Sequence, residues 1–129
     1  GWERETSHVS AGLRTHMLIS AAAATFVSLG TVLAAQYYSI LPGDALRIYH
    51  MGIFQAIVVG VGFIGGGIIF KDKDDNHVRN LTTAASVWAA GAIGMAIGFG
   101  FYVIAFIAGL LVTLIPRIPS LQNEKNGEG

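Results

Sequence analysis

Charged residues are scarce in this 129-residue sequence, and cysteine is absent. Only 12% of the residues are charged, against about 25% in a typical soluble domain, while 53% are hydrophobic. These few charged residues could not cover the surface of a soluble protein of this size. The composition therefore predicts an integral membrane protein. The absence of cysteine excludes disulfide bonds, a thiol nucleophile and a thiolate metal site. The net charge of +0 gives no electrostatic reason to expect nucleic acid as a partner.

The most distinctive stretch that is present is the apolar run Gln55–Phe70, which contains five glycines. Extended back to Ile48 it gives 23 residues without a charge, and a bilayer core of ~30 Å needs about 20 such residues as a helix. Small residues let membrane helices approach closely, so we expect glycines to form packing faces here and in a later helix. The candidate packing residues are Gly60, Gly62, Gly65, Gly66, Gly67, Gly94 and Gly98.

Two other interpretations of this glycine-rich run are weaker. Residues Gly60 to Gly65 formally match the dinucleotide-binding pattern G-x-G-x-x-G. That pattern needs a preceding strand and an acidic residue about 20 positions further on, where the sequence has the small neutral residues Ala84 and Ala85. A buried helix of a soluble core is the second alternative, and the apolar composition of the remaining chain argues against it.

Apolar runs predict an all-α integral membrane fold, a glycine-rich and tightly packed bundle of four transmembrane helices at about 17–38, 48–70, 81–97 and 101–117. The last two come from 35 uncharged residues, which the Gly98-Phe99-Gly100 cluster divides into a helical hairpin. We expect residues 1–119 to form the transmembrane domain. The polar residues 120–129 are expected to be a disordered tail.

The distribution of lysine and arginine predicts the orientation of these helices. Seven basic residues fall on one side and Arg47 alone on the other. Because basic loops stay in the cytoplasm, both ends of this chain are expected on the cytoplasmic side of the membrane. The seven residues are Arg4, Arg14, Lys71, Lys73, Arg79, Arg117 and Lys125.

Residues that could carry catalysis or bind a metal form no convincing set. His8, His16, His50 and His77 include no i, i+4 pair of the kind a helical zinc site needs. The acidic stretch from Asp72 resembles an EF-hand start, but His77 and Thr83 stand where glycine and glutamate are required. A solvated turn is favoured over weak cation binding. The sequence therefore predicts no enzyme, no metal site and no cofactor.

Polar residues at the membrane edges are more informative. Asp44 and Arg47 are three residues apart before the second helix, where they either anchor the helix or face a partner or cation. Gln55 lies inside a predicted span and is expected to bond to a neighbouring helix. Thr82 and Thr83 begin the third helix, where hydroxyl groups can cap free backbone N–H groups.

Several stretches together resemble the MgtC/SapB family of bacterial inner-membrane proteins, from Gly1 to about Leu114. The patterns GxGFxGxG and VRxLTTAAxxWxxxAIGxAxG, in that order, are specific. The matching stretches are Gly1–Glu5, Ala11–Leu18, Asp44 to Arg47, Gly60–Ile69 and Val78–Gly100.

The resemblance implies a role in growth at low magnesium and in virulence. It also implies a short form of the family, without the first helix and the C-terminal ACT-like domain of longer members. Regulators of this family are linked to inhibition of the membrane ATP synthase. The residues that the resemblance singles out are Glu3, Arg4, Arg14, Thr15, Asp44, Arg47, Gln55, Arg79, Thr82 and Thr83.

Two functions are left open by these observations. The first is a non-enzymatic regulator that binds another membrane protein, or a second copy of itself, through its glycine faces. The second is a transporter of magnesium or another cation. An ion route usually contains ionisable groups inside the membrane, and none of the four predicted spans has an acidic residue near its middle, which favours the regulator.

Overall fold

The computed structural model describes Glu5 and residues 11–38, 40, 43–71 and 78–118, with the backbone alone for residues 43–49 and 70–71. The predicted tail 120–129 and the acidic stretch 72–77 lie outside these residues. The described elements are α1 (Leu13–Tyr37), α2 (Gly43–Ile68), β1 (Phe70–Lys71), β2 (Val78–Arg79), α3 (Leu81–Gly98) and α4 (Tyr102–Leu114), with a 3₁₀ turn at Ile115–Arg117. The two short strands pair antiparallel, with Phe70 opposite Arg79.

The described chain is helical apart from this small hairpin, which confirms the predicted class. Helices α1, the His50–Ile68 part of α2, and α3 are each long and apolar enough to cross a membrane. Helix α4 is apolar but has only 13 residues, and at 1.5 Å per residue it is about 20 Å long. A bilayer core is ~30 Å thick, so three helices meet the length criterion and α4 is shorter.

The boundaries of α1 and α2 differ from the predicted ones. Helix α1 begins at Leu13 rather than near residue 17, because Glu5 and His16 satisfy polar groups of its first turn. Helix α2 begins at Gly43 rather than at residue 48. It ends at Ile68 rather than at residue 70, because Phe70 has left the helix to pair with Arg79.

Large apolar side chains cover the outside of the helices. Phe63 is 84% exposed, Phe106 73% and Leu18 71%. Contact of such a surface with water would cost about 25 cal/mol of free energy per Å² of apolar area. Contact with lipid tails carries no such cost. The exterior is therefore that of a membrane protein.

Helices α1 and α3 run in the same direction and approach most closely where α3 has glycine. A Cβ atom at Gly94 would lie 2.9 Å from Ser20 Cα, and one at Gly98 would lie 2.7 Å from Ala24 O. Such distances are shorter than real carbon contacts, so glycine is what permits the two backbones to touch. The predicted packing residues Gly94 and Gly98 lie at this contact.

Helix α2 runs antiparallel to α3 and packs through a different face from the one its glycines suggested. Ile57 and Val61 are buried, Val61 lies against Gly91, and a Cβ at Gly65 would be 3.6 Å from Ala84 O. A Cβ at Gly60, Gly62, Gly66 or Gly67 would meet nothing within 4 Å. Of the glycines in this run that were predicted to form a packing face, Gly65 alone lies against another helix among the described residues.

The bundle is less tightly packed between α1 and α2 than was predicted. An apolar groove of about 530 Å³ separates them, lined by side chains such as Ile19, Phe26 and Ile57. Ile53 closes it at one point by packing against Gly30. Tight packing therefore holds for α1 against α3 and is relaxed between α1 and α2.

The turn between α3 and α4 lies at the predicted break and has a specific glycine requirement. Gly100 has φ +80°, and its N–H donates to Ile97 O at 2.9 Å. Phe101 N–H reaches back to Ala96 O at 2.8 Å. These two bonds form a Schellman motif, in which a left-handed residue, usually glycine, ends the helix.

Replacing Gly94 by alanine should destabilise the chain, because the new methyl group would collide with the Ser20 backbone. We expect a loss of about 1–3 kcal/mol in the free energy of unfolding, as for other overpacked sites, measured by SDS-induced unfolding in mixed micelles. Gly62→Ala is the matched control on an open face and should leave stability unchanged or raised by up to ~1 kcal/mol. Equal losses in the two variants would contradict the close α1–α3 contact.

Candidate functional site

Polar groups gather where α1 and α3 begin, in an arrangement that we call the His16 cluster: Glu5, Gly12, His16, Thr83 and Ser86. His16 Nδ1 lies 2.7 Å from Gly12 O, and His16 Nε2 lies 2.9 Å from Ser86 Oγ. The Ser86 hydroxyl also lies 2.8 Å from Thr83 O. The cluster joins residues 70 positions apart in sequence and links the starts of two helices.

Glu5 supplies the N-terminal cap that α1 does not find locally. The N-cap residue of α1 is Gly12, which has no side chain to accept a hydrogen bond. The backbone N–H of Leu13 instead donates to Glu5 Oε2 at 2.8 Å. A carboxylate here satisfies one of the free N–H groups and faces the positive end of the helix dipole. Glu5 therefore fixes where α1 begins.

The buried members of the cluster lie on the facing sides of α1 and α3. His16 and Ser86 are each 9% exposed, and Thr83 is 1% exposed. Buried polar groups must be hydrogen-bonded to avoid a desolvation cost of about 1–3 kcal/mol each, and the distances above meet that requirement for the side chains of His16 and Ser86. These contacts specify how α1 and α3 are aligned.

The start of α3 is also tied to the end of α2. Asn80 precedes α3 with φ 64°, a left-handed conformation that asparagine tolerates better than most residues. Its side-chain amide donates to Ile68 O at 3.3 Å, and its carbonyl accepts from Ala84 N at 2.9 Å. The ends of α2 and the hairpin thus lie on the same side of the molecule as the His16 cluster.

The chemistry available to the cluster is hydrogen bonding and proton binding. Among the described residues no group of three histidine, cysteine, aspartate or glutamate side chains could hold a metal ion. A serine beside a histidine can act as a nucleophile with its base, but Ser86 is buried between two helices and hydrogen-bonded on both sides. A substrate would have to separate α1 from α3 to reach it.

The structure places the ten predicted site residues in several environments. Among those with described side chains, Thr83 alone is buried, and it contributes its backbone carbonyl to the cluster. Glu3 and Arg4 lie outside the described residues, and Asp44 and Arg47 belong to the start of α2 without described side chains. The remaining residues are exposed or half-buried: Arg14, Thr15, Gln55, Arg79 and Thr82.

Gln55 differs from what we expected, because it does not bond to a neighbouring helix within the described part of the chain. Its side chain is exposed on the outer side of α2. Gln55, Gly62 and Gly66 are spaced by seven and four residues, so they share one helix face. That face is opposite to the buried residues Ile57 and Val61. We call it the open face of α2.

Sequence reasoning missed Glu5, His16 and Ser86 as members of one site. The available signal was a histidine at the border of an apolar run, four residues after Gly12 and therefore one helical turn away from it. Glu5 and Ser86 are distant from it in sequence, so only the packing of α1 on α3 brings them together.

In the described part of the chain, these features define a helical membrane protein with three helices of spanning length, a shorter apolar helix and a polar cluster at one end. Comparison with known proteins makes the class specific. The sequence model described as the MgtC family matches residues 1–121, and the chain belongs to that family. The predicted resemblance is thereby confirmed. No solved structure matches the chain.

Curated relatives agree with this assignment. The chain is 36% identical to "Protein MgtC" of Brucella abortus over 115 residues, covering 89% of this chain and 43% of that protein. It is 36% identical to "Putative magnesium transporter YhiD" of Escherichia coli K12, covering 92% and 53%. It is 38% identical to "Protein SapB" of Bacillus subtilis, covering 89% and 47%. The chain thus spans about half the length of these relatives.

Removing the Glu5 cap should destabilise α1 and the cluster beside it. We expect Glu5→Ala to cost about 0.5–2 kcal/mol of unfolding free energy, as loss of a helix cap does, and to speed amide exchange at Leu13. Glu5→Gln is the matched control, because it keeps an oxygen acceptor and loses only the charge, so its loss should be smaller. Unchanged exchange at Leu13 in Glu5→Ala would show that the carboxylate is not the cap.

Proposed function

We propose that the chain is a non-enzymatic regulator of the bacterial inner membrane that supports magnesium homeostasis and growth in low magnesium. It would act by binding other membrane proteins, such as the ATP synthase, or a second copy of itself. The observation that carries this proposal is the open face of α2, where a Cβ at Gly62 or Gly66 would meet nothing within 4 Å. Family membership supplies the link to magnesium.

The open glycines are costly unless something packs on them. Glycine weakens a helix by up to ~1 kcal/mol relative to alanine, and within this chain Gly94 and Gly98 offset that cost by close contact with α1. Gly62 and Gly66 have no such contact with the described residues. A helix from another protein could approach α2 as closely as α3 approaches α1, and Gln55 on the same face could hydrogen-bond to it.

The proposed topology has four membrane crossings with both ends of this chain in the cytoplasm. The parallel course of α1 and α3, with α2 antiparallel, supports alternating crossings. Helix α4 would cross together with the 3₁₀ turn that follows it. The seven-to-one distribution of basic residues supports this direction, and in it the His16 cluster would lie at the cytoplasmic end. Asp44 and Arg47 would then anchor α2 at the outer surface.

Bulky residues on the open face should abolish the function without unfolding the protein. We expect Gly62→Leu and Gly66→Leu to insert at normal levels and to lose most of the rescue of a deletion strain in low magnesium. The cause would be steric, because a leucine side chain keeps a second helix from reaching the α2 backbone. The measurement is a magnesium titration of growth, with membrane levels determined by immunoblot.

Gly109→Leu on α4 is the matched control, because a Cβ there also meets nothing within 4 Å but the position lies off the open face. It should rescue growth like the wild type. Full rescue by well-inserted Gly62→Leu and Gly66→Leu would refute the binding role of the open face. Wild-type protein that fails to rescue growth at any magnesium concentration would refute the magnesium role itself.

A transporter of magnesium or another cation is the second candidate, and the name of the E. coli relative favours it. Against it, no acidic residue occurs in Leu13–Tyr37, His50–Ile68 or Leu81–Gly98, where an ion route would need one. The groove between α1 and α2 is apolar as well. We therefore expect no magnesium flux above that of empty vesicles when the purified protein is reconstituted in liposomes. A magnesium flux into the liposomes that saturates with magnesium concentration would establish the transporter instead of the regulator.

A further inference from the structure

His16 is a buried ionisable group whose two ring nitrogens have different partners. Nδ1 lies 2.7 Å from Gly12 O, and Nε2 lies 2.9 Å from Ser86 Oγ. A carbonyl oxygen can only accept a hydrogen bond, so Nδ1 must carry a proton. In the neutral ring Nε2 is then an acceptor, and in the imidazolium it is a donor.

Ser86 makes these two states different, because its hydroxyl has one proton and two acceptors within reach. Thr83 O lies 2.8 Å from Ser86 Oγ. With neutral His16 the hydroxyl must donate to Nε2 and gives up its bond to Thr83 O. With protonated His16 the Nε2–H donates to Ser86 Oγ, and the hydroxyl donates to Thr83 O. The imidazolium alone satisfies all three contacts at once.

We propose that His16 is a proton-binding site in the interface of α1 and α3. A proton from water adds to Nε2 and forms one N–H bond, and the Ser86 hydroxyl turns from Nε2 to Thr83 O. Nothing is oxidised or reduced. The change in proton occupancy is converted into a change in the hydrogen bonds that join the two helices, which goes beyond the regulatory role proposed above.

Few other ionisable groups lie on the described elements that surround His16. Glu5 is the ionisable group nearest in the cluster: its carboxylate accepts from Leu13 N, beside the Gly12 residue whose carbonyl binds Nδ1. Helix α3 carries no ionisable side chain, and α2 carries none after His50 at its far end. Arg14 on α1 and Arg79 in the hairpin are exposed. The side chain of Lys71 and residues 1–4, 6–10 and 72–77 are not described.

The tautomer of neutral His16 is the most direct test, because it can be measured on the wild-type protein. ¹⁵N-histidine NMR in lipid bilayers, recorded from about pH 8 to about pH 5 where histidine titrates, should show Nδ1 protonated throughout. Nε2 should change from unprotonated to protonated as the pH falls. A neutral ring with its proton on Nε2, or a ring that stays neutral over the whole range, would overturn the proposal.

Variants test the coupling to Ser86. The ¹³C shift of the Thr83 carbonyl should move with the titration of His16 in the wild type and become independent of pH in Ser86→Ala. His16→Gln should remove the titrating signal and thereby assign it, whereas His50→Gln should leave it in place. If the Thr83 shift moves equally in Ser86→Ala, the hydroxyl does not respond to the proton and the coupling is refuted. Should Ser86→Ala fail to fold, the wild-type tautomer still decides.

Discussion

The close approach of α1 and α3 is the contact on which the rest of the structure depends. It is possible only because Gly94 and Gly98 lack side chains where the backbone of α1 passes. This approach puts His16 within hydrogen-bonding distance of Ser86, and it leaves α2 to pack on α3 through Ile57 and Val61. In a membrane, where lipid tails are as apolar as leucine, such contacts replace the hydrophobic effect as the source of helix association.

The glycines of this chain are of two kinds. Glycines of α3 are used inside the bundle, whereas Gly62 and Gly66 of α2 face outward. The apolar groove between α1 and α2 lies beside α2 as well. Helix α2 therefore keeps one glycine face that is not used inside the bundle, and it is the helix that we propose as the binding helix.

Much of the fold could be predicted from the sequence because it depends on local composition. Long uncharged runs predicted the helical class correctly, and the glycine cluster at Gly98 predicted the break before α4. The face on which α2 packs could not be predicted, because glycines allow close packing with any neighbour. The predicted length of α1 was wrong at its start, since an apolar run marks lipid contact and Leu13–His16 continues the helix beyond it.

The candidate site was less predictable for a physical reason. Glu5, His16 and Ser86 form a cluster only through tertiary packing, whereas edge charges such as Arg14 stand out in sequence yet remain exposed. A buried polar network becomes recognisable when its partners are known, since a lone histidine or serine in an apolar run has many possible roles. The motifs identified the family, and the packing identified which of their residues meet.

Cysteine cross-linking in native membranes tests the central claim most directly, because this sequence contains no cysteine and an introduced one is its single thiol. A cysteine at Gly66 on the open face should form an adduct of defined mass with another polypeptide or a second copy. A cysteine at Gly109 on α4 should react only with lipid-soluble reagents. Adducts of equal yield from both positions, or none from Gly66, would contradict the account of α2 as the binding helix.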